Sequence, residues 1–257
     1  MSFEHKEYLK KKKKEKILII ISQILIFISI ILLWEILAKT NKINTFLTSS
    51  PSLIINTINN LFNSNNLFNH IFITTYETII SFILSTLIGI IISSILWWNK
   101  FIFKVFEPYL TILNSLPKVA LGPILIIWIG ANINSIIVMA LLISSIISII
   151  TIYNGFNSTD ENKIKLMKSF NASKYQIYTM LILRSNIPTI ISSLKINISM
   201  CLIGVIMGEL LVSKEGIGYL IMYGSQVFNL NLVMTGIFLL SLLAYILYFI
   251  ISRLEKN

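Results

Sequence analysis

The feature that most constrains this chain is a series of long apolar runs that carry almost no charge. The first extends from residue 17 to residue 34 without a charged side chain, which is long enough for a helix to cross roughly 30 Å of hydrocarbon. Charged residues make up only 12% of the sequence, about half the share in an ordinary soluble domain. Because lipid cannot satisfy backbone polar groups, runs of this length span membranes as helices. The sequence therefore predicts an all-α, polytopic membrane protein.

Six apolar runs predict six transmembrane helices. Pro117, Gly122 and Pro123 interrupt the third, and such a break is tolerated only where protein or a water-filled path covers it, so we expect this span to face the interior. Residues 39–70 are polar, which predicts an external loop with a short helix at 52–62. The predicted spans are residues 17–34, 79–98, 109–130, 136–152, 188–212 and 232–251.

Residues 1–16 form a basic tail, and residues 17–257 are predicted to form one transmembrane domain. A cleaved signal peptide also begins basic and continues apolar, but its apolar core is shorter, and residues 33–39 offer no good cleavage site. We therefore expect the first span to be retained. Lysines 10–14 would also contact anionic lipid headgroups, at about 1 kcal/mol per residue, but the orientation of the first span alone explains them.

The distribution of Lys and Arg predicts the orientation of the spans. With a cytoplasmic amino terminus, seven of these residues precede the first span, two follow the second, five lie between the fourth and fifth, and two follow the sixth. Three lie on the other side. Because basic residues are enriched in cytoplasmic loops, both termini and the loop after the fourth span are expected in the cytoplasm. The net charge of +10 thus indicates orientation rather than nucleic-acid binding.

The polar segment at residues 154–187 has signals for structure of its own. Ser158 followed by Glu161 has the form of a capping box, and Ser173 followed by Gln176 repeats it. Asn171 lies where a first helix would end, and Asn readily adopts the left-handed conformation found there. The sequence predicts a cytoplasmic helix-turn-helix, and an ordered basic segment favours a docking surface over a passive connection.

The motifs argue against several classes of function. No glycine is followed by lysine, so the nucleotide-binding loop of an ATPase is missing, as are a zinc-binding His-Glu pair and a serine elbow. Cys201 is the one cysteine, and His5 and His70 lie too far apart in the predicted topology to share a metal. We therefore expect no enzymatic activity, no cofactor and no metal site.

Three charged residues, Lys118, Lys195 and Glu209, fall inside predicted spans. Intramembrane charges are candidates for a substrate path, because burying them in lipid is costly. Alternatively, Lys195 and Glu209 reach the interface by snorkelling, and the third span begins later, which would leave Lys118 at a surface. Gly204 and Gly208 permit close helix approach, either within one subunit or between subunits.

The order of these features resembles the permease subunits of bacterial ATP-binding-cassette (ABC) importers, in particular the nitrate, sulfonate, taurine and thiamine-precursor group. The similarity covers about residues 50–255, with the permease core at about 70–252. Residues 116–130, LPKVALGPILIIWIG, resemble that group's third-span signature of a proline pair followed by Trp and Gly. The segment Gly208-Glu-Leu-Leu followed by Gly216-Ile-Gly resembles the end of its fifth span.

Residues 154–187 resemble the loop that docks on the ATPase in this family, but they depart from its pattern. Lys165-Leu-Met stands where the family prefers Glu-Ala-Ala, and Asn171 replaces a Gly. Arg184 stands where a Pro is expected. Asn can serve the same turn as Gly, whereas Lys165 reverses a charge. We interpret the change as a sign of a matched partner rather than of weakened coupling.

The resemblance implies a homodimer in the bacterial plasma membrane, bound to two copies of a separate ATPase and fed by an extracytoplasmic solute-binding protein. Phe170 would insert as an apolar knob into a groove on the ATPase. Lys165, Lys168 and Lys174 would form the polar rim of this contact. The implied ATPase-coupling residues are Glu161, Lys165, Lys168, Phe170, Asn171, Ala172, Ser173, Lys174 and Tyr175. The implied substrate-path residues are Pro117, Lys118, Pro123 and Glu209.

The resemblance also implies a small anionic or polar solute, such as nitrate, a sulfonate, taurine or a thiamine precursor. A basic residue such as Lys118 near the path would suit an anion. The alternative is a secondary transporter or channel that needs no ATPase, and a membrane scaffold is a third reading. A secondary transporter predicts an inverted repeat, which the sequence does not show, and it leaves the ordered loop unexplained.

Overall fold

The computed structural model describes residues 3–64 and 66–253, and the regular structure within these ranges is entirely helical. This confirms the predicted all-α class. The α-helices are α1 Phe3–Lys39, α2 Thr45–Thr48, α3 Pro51–Asn63, α4 Leu67–Trp98, α5 Lys100–Ser115, α6 Gly122–Ile129, α7 Ile133–Asn157, α8 Glu161–Ser169, α9 Lys174–Gln176, α10 Leu183–Ser185, α11 Ile187–Val212, α12 Ile217–Gln226 and α13 Leu230–Arg253. A 3₁₀ turn occupies Lys118–Leu121, and a π-helical segment occupies Ile177–Ile182.

Five of these helices, α1, α4, α7, α11 and α13, contain stretches long and apolar enough to cross a membrane. The remaining predicted span corresponds to α5 and the segment Lys118–Ile129, which meet at an angle of 86°. The chain is therefore a multi-pass membrane protein with five single-helix spans, or six when this bent pair is counted as one span.

Helix α1 lies at the periphery, since none of its membrane-spanning part is buried within the protein. It is tied to the start of α3 by Glu35, whose Oε2 accepts a 3.1 Å hydrogen bond from the backbone N–H of Ser52. The Nζ of Lys39 lies 3.1 Å from the other carboxylate oxygen. Residues 3–16, predicted as a tail, continue in the same helix as the first span.

Helices α4, α7 and α11 form the centre of the fold, where small residues let the backbones approach closely. A Cβ added to Gly204 would lie 2.4 Å from Cα of Ala140, and one added to Gly208 would lie 2.9 Å from Cα of Ile136. The glycine pair of α11 therefore packs against α7 within one subunit, the first of the two alternatives.

A buried polar contact fixes the register of α11 on α4. The side-chain amide of Asn197 donates hydrogen bonds to Ser85 over 2.9 Å and to Thr86 over 2.8 Å. In lipid, apolar burial does little to hold helices together, so close packing and such hydrogen bonds carry much of the specificity. Cys201 is buried beside them as a small core residue.

The second span begins at Leu67, earlier than the predicted residue 79. The sequence signal failed because His70, Thr74 and Glu77 interrupt the apolar run. All three side chains are buried in the structure, so they extend the helix into the protein rather than into a loop. The short helix predicted at 52–62 is present as α3.

The predicted third span is only partly covered within this chain, where Gly122 and Leu125 of α6 are buried. That this span faces the interior of the protein stays a prediction. None of the residues of α5 is buried, and in α6 Ile127 is 80% exposed and Trp128 is 77% exposed. The predicted interruption itself is correct, because the helix breaks between Ser115 and Lys118. In this single chain, much of the apolar surface of α5 and α6 is therefore left uncovered.

Replacing Gly204 with Leu should destabilise the fold, because the new side chain would collide with the backbone of Ala140. Overpacking of this kind costs about 1–3 kcal/mol or more. We expect a lower midpoint of thermal unfolding for Gly204→Leu in detergent. The control is Ile203→Leu, at a neighbouring position that is 47% exposed. Equal midpoints for the two variants would contradict the packing described here.

Candidate functional site

Two groups of residues are candidate sites, and they lie at opposite ends of α4. One is a buried polar group that we name the cap cluster, consisting of His70, Thr74, Glu77 and Glu209. The other is the coupling loop, residues 154–187, which packs against α4 at Trp97. About 20 residues of α-helix separate Glu77 from Trp97, which corresponds to about 30 Å.

The cap cluster satisfies the amides at the start of α12. The backbone N–H of Gly216 donates to Nδ1 of His70 over 3.0 Å, and that of Ile217 donates to Oγ1 of Thr74 over 2.8 Å. The N–H of Gly218 donates to Oε2 of Glu209 over 2.5 Å. These groups have no partner within their own helix, so side chains of α4 and α11 replace the water that would otherwise bind them.

Glu209 is the centre of this cluster. Its Oε1 accepts a 2.6 Å hydrogen bond from Oγ1 of Thr74, and the residue is 1% exposed. Its side chain therefore does not snorkel to the interface. A Cβ on Gly216, whose φ is +99°, would lie 2.3 Å from the Glu209 carboxylate, so only glycine fits there. The positive end of the α12 dipole favours a carboxylate at this place.

Glu77 is a second buried acid, which the sequence analysis did not single out. The residue is 2% exposed and lies on α4 one turn after Thr74, which donates a hydrogen bond to Glu209. Its Oε2 is buried without a hydrogen-bond partner among the described residues. The sequence signal that could have identified Glu77 is its spacing from His70 and Thr74, which places all three on one face of a helix.

A cavity of about 720 Å³ opens beside Glu77. It lies between α4, the turn from α6 to α7, and the segment that follows α11. Its lining residues are Phe72, Ile73, Tyr76, Glu77, Ala131, Asn132, Ile133, Ile136, Val212, Ser213, Lys214 and Glu215.

The structure separates the four predicted substrate-path residues. Glu209 lies in the cap cluster, whereas Pro117, Lys118 and Pro123 lie at the break between α5 and α6. The Nζ of Lys118 is 3.3 Å from the backbone carbonyl of Asn114. The path role of these residues stays a prediction.

Of the two capping boxes predicted in the coupling loop, the structure has the second but not the first. The predicted box of Ser158 and Glu161 is wrong, because Asp160 caps α8 by accepting a 2.8 Å hydrogen bond from the N–H of Asn162. The Ser158 hydroxyl donates to the carbonyl of Gly155 at the end of α7 instead, since α7 continues to Asn157. The second box and the left-handed residue are confirmed: Ser173 and Gln176 bond reciprocally, and Asn171 has a φ of +55°.

The underside of the coupling loop is anchored on the ends of α4 and α7. Ile164, Met167 and Ala172 pack against a buried core formed by Ile152, Phe156, Ile177 and Ile182. The hydroxyl groups of Tyr178 and Ser94 lie 2.5 Å apart. The ammonium of Lys174 donates to the carbonyl of Trp98 and lies 5.5 Å from its ring centre. The loop is thus held to the membrane-spanning helices.

The outer surface of the coupling loop carries exposed apolar side chains among lysines. Phe170 is 75% exposed, Tyr175 is 66% exposed and Leu166 is 57% exposed. Lys165 and Lys168 are also exposed, whereas Lys174 points toward α4. An apolar group of this kind on an anchored loop is typical of an interaction surface.

Comparison with known proteins identifies the family. The family described as binding-protein-dependent transport system inner membrane component matches residues 85–257. The chain belongs to this family. Its members are the permease components of ABC importers, in which a separate subunit hydrolyses ATP, so this chain is not itself an enzyme. The resemblance seen in the sequence is confirmed.

Individual relatives agree with this assignment. The chain is 29% identical over 232 residues to the formylaminopyrimidine transport permease protein ThiX of Halalkalibacterium halodurans, covering 90% of this chain and 92% of the relative. It is 20% identical over 191 residues to the taurine transport system permease protein TauC of Escherichia coli, covering 74% and 70%. The inward-facing MetNI methionine ABC transporter shares the fold, with a TM-score of 0.65 and 17% identity, covering 73% of this chain and 93% of that one.

Replacing Glu209 with Ala should destabilise the protein strongly, because the amide of Gly218 and the hydroxyl of Thr74 would lose a charged acceptor. Hydrogen bonds to charged groups contribute about 1.5–3 kcal/mol each. We expect a clear drop in the thermal unfolding midpoint in detergent. Glu215→Ala, which removes an exposed acid from the same region, is the control and should unfold like the wild type. A Glu209→Ala midpoint within error of the control would refute the capping role.

Proposed function

We propose that this chain forms the membrane path of an importer for a small polar solute, and that its coupling loop docks on a separate ATPase. The observation that carries this proposal is the exposed Phe170 on a loop anchored to α4 and α7. ATP binding in the partner would move the loop, and the packed helices would transmit that motion toward the cap cluster. Transport then follows from a change between two conformations rather than from chemistry in this chain.

The surface of the coupling loop suggests the character of its partner. Phe170 would insert into an apolar groove, and Tyr175 and Leu166 would extend the contact. Lys165 and Lys168 would form the polar rim, which fits acidic residues on the ATPase. Glu161, Asn171, Ala172 and Ser173 shape the loop rather than forming its most exposed surface.

The exposed break between α5 and α6 supports a homodimer. Interrupted helices are tolerated at membrane depth only where protein or a water-lined path covers the freed backbone groups. Here α5 buries no residue, and Ile127 and Trp128 are largely exposed. A second copy of this chain that packs on this surface would cover it and would place Pro117, Lys118 and Pro123 near the axis between the subunits.

The orientation and the supply of solute follow from the same proposal. Both termini and the coupling loop would lie in the cytoplasm of a bacterial plasma membrane, in agreement with the distribution of Lys and Arg. A solute-binding protein would deliver the solute on the opposite side. The named relatives transport formylaminopyrimidine and taurine, which favours a small polar organic solute.

Purification of this chain from its native membrane, followed by identification of the proteins bound to it, tests the proposal against the alternatives. A nucleotide-binding subunit in stable amounts supports the importer. Its absence, together with solute flux that does not need ATP, would favour a secondary transporter or channel. Its absence without flux would favour a scaffold.

Replacing Phe170 with Ala should abolish solute uptake and stimulation of the ATPase, because the apolar knob is removed while the anchored core of the loop stays intact. We expect at least a tenfold loss of both, since truncating a central interface anchor costs about 2 kcal/mol or more. Phe228→Ala is the matched control, because Phe228 is 73% exposed but lies outside the coupling loop. Undiminished ATPase stimulation by Phe170→Ala, with normal amounts in the membrane, would rule out this docking mode.

A further inference from the structure

The cavity beside Glu77 combines a deeply buried acid with an unused hydrogen-bonding atom. Glu77 is 2% exposed, lines the cavity, and leaves Oε2 without a partner in the part of the chain that the structure describes. Leaving a buried polar group unpaired costs about 1–3 kcal/mol, more when it is charged. A donor from outside the chain would remove this cost.

The neighbouring acid determines which kind of donor fits. Glu209 already accepts hydrogen bonds from Thr74 and Gly218 at the positive end of α12. Glu77 lies one turn after Thr74 on the same face of α4. A charged Glu77 carboxylate at this place is repelled by Glu209 unless a proton or a cation lies between them. An N–H donor, above all a cationic one, would stabilise Glu77, whereas an anion would add to the repulsion.

We propose that Glu77 is a specificity-determining residue of the transport path, and that it accepts a hydrogen bond from the amino group of a solute held in this cavity. The solute class is a small molecule with a protonated amine or an amino group on a heterocyclic ring. This rests on the proposed function and narrows it. Solutes without an amino group, such as nitrate or a simple alkanesulfonate, are excluded from this contact.

The cavity wall supports such a solute in other ways. Tyr76 and Phe72 offer aromatic surface, and cations and flat rings bind well against aromatic side chains. Asn132 and Ser213 also line the cavity, but their side chains already form hydrogen bonds within the chain, Asn132 to Asn134 and Ser213 to Glu215. Lys214 also lines the cavity, and its ammonium is the competing donor within the chain.

Protection of Glu77 from dicyclohexylcarbodiimide tests the proposal on the full-length chain in detergent, without its partners. The reagent attaches to carboxyl groups in apolar sites, and mass spectrometry of the peptides locates the adduct. We expect ethylammonium chloride to slow labelling of Glu77 at least tenfold, and sodium ethanesulfonate at the same concentration to slow it less than twofold. Labelling of the exposed Glu107, which lies outside the cavity, should respond to neither.

Several outcomes would overturn the proposal. Equal protection by the two salts would show no selectivity for an amine, and a Glu77 that is never labelled would show that the cavity does not reach it. Labelling of Glu77 that ethylammonium slows in Lys214→Ala but not in the wild type would show that the Lys214 ammonium occupies the site.

A second measurement uses variants. Ethylammonium should raise the thermal unfolding midpoint of the wild type and of Glu107→Gln, whose side chain is exposed and does not line the cavity, but not of Glu77→Gln. A rise of equal size in Glu77→Gln would also overturn the proposal. Because neither test involves the ATPase, failure here is distinct from failure to recover an ATPase with the chain.

Discussion

The start of α12 is a helix end buried inside the protein, and the arrangement of α4 and α11 depends on how its amides are satisfied. Three successive N–H groups are bound by His70, Thr74 and Glu209. Without them, each buried donor would cost about 1–3 kcal/mol. One requirement therefore explains why polar residues occur within two membrane helices and why glycine occupies position 216.

Helix α4 links this requirement to the coupling loop. Its first turns carry His70 and Thr74, and its last turn contacts the loop through Trp97 and Trp98. The small residues between them pack directly on α7 and α11, so a shift at one end cannot be absorbed by loose packing. Such a continuous helix suits a protein in which a partner on one side of the membrane controls access on the other.

Much of this fold follows from the sequence, because membrane spans are dictated by length and hydrophobicity. The sequence did not predict the start of α4. A segment that contains His70 and Glu77 has the polar character of a loop, and only the contacts with α11 and α12 explain why it is helical. Glu77 was missed for the same reason. The capping box of Ser173 and Gln176 was predictable because it depends on local contacts alone. The capping box predicted at Ser158 is wrong because α7 extends through Asn157, so that Asp160 caps α8 instead.

The central claim is that the coupling loop and the cavity beside the cap cluster lie on opposite sides of the membrane, with the loop in the cytoplasm. Single-cysteine labelling in intact cells tests it directly, because the one native cysteine, Cys201, is buried. A membrane-impermeant maleimide should label K214C in intact cells and K165C only after the membrane is permeabilised. Labelling of K165C in intact cells, or of both variants only after permeabilisation, would contradict the account.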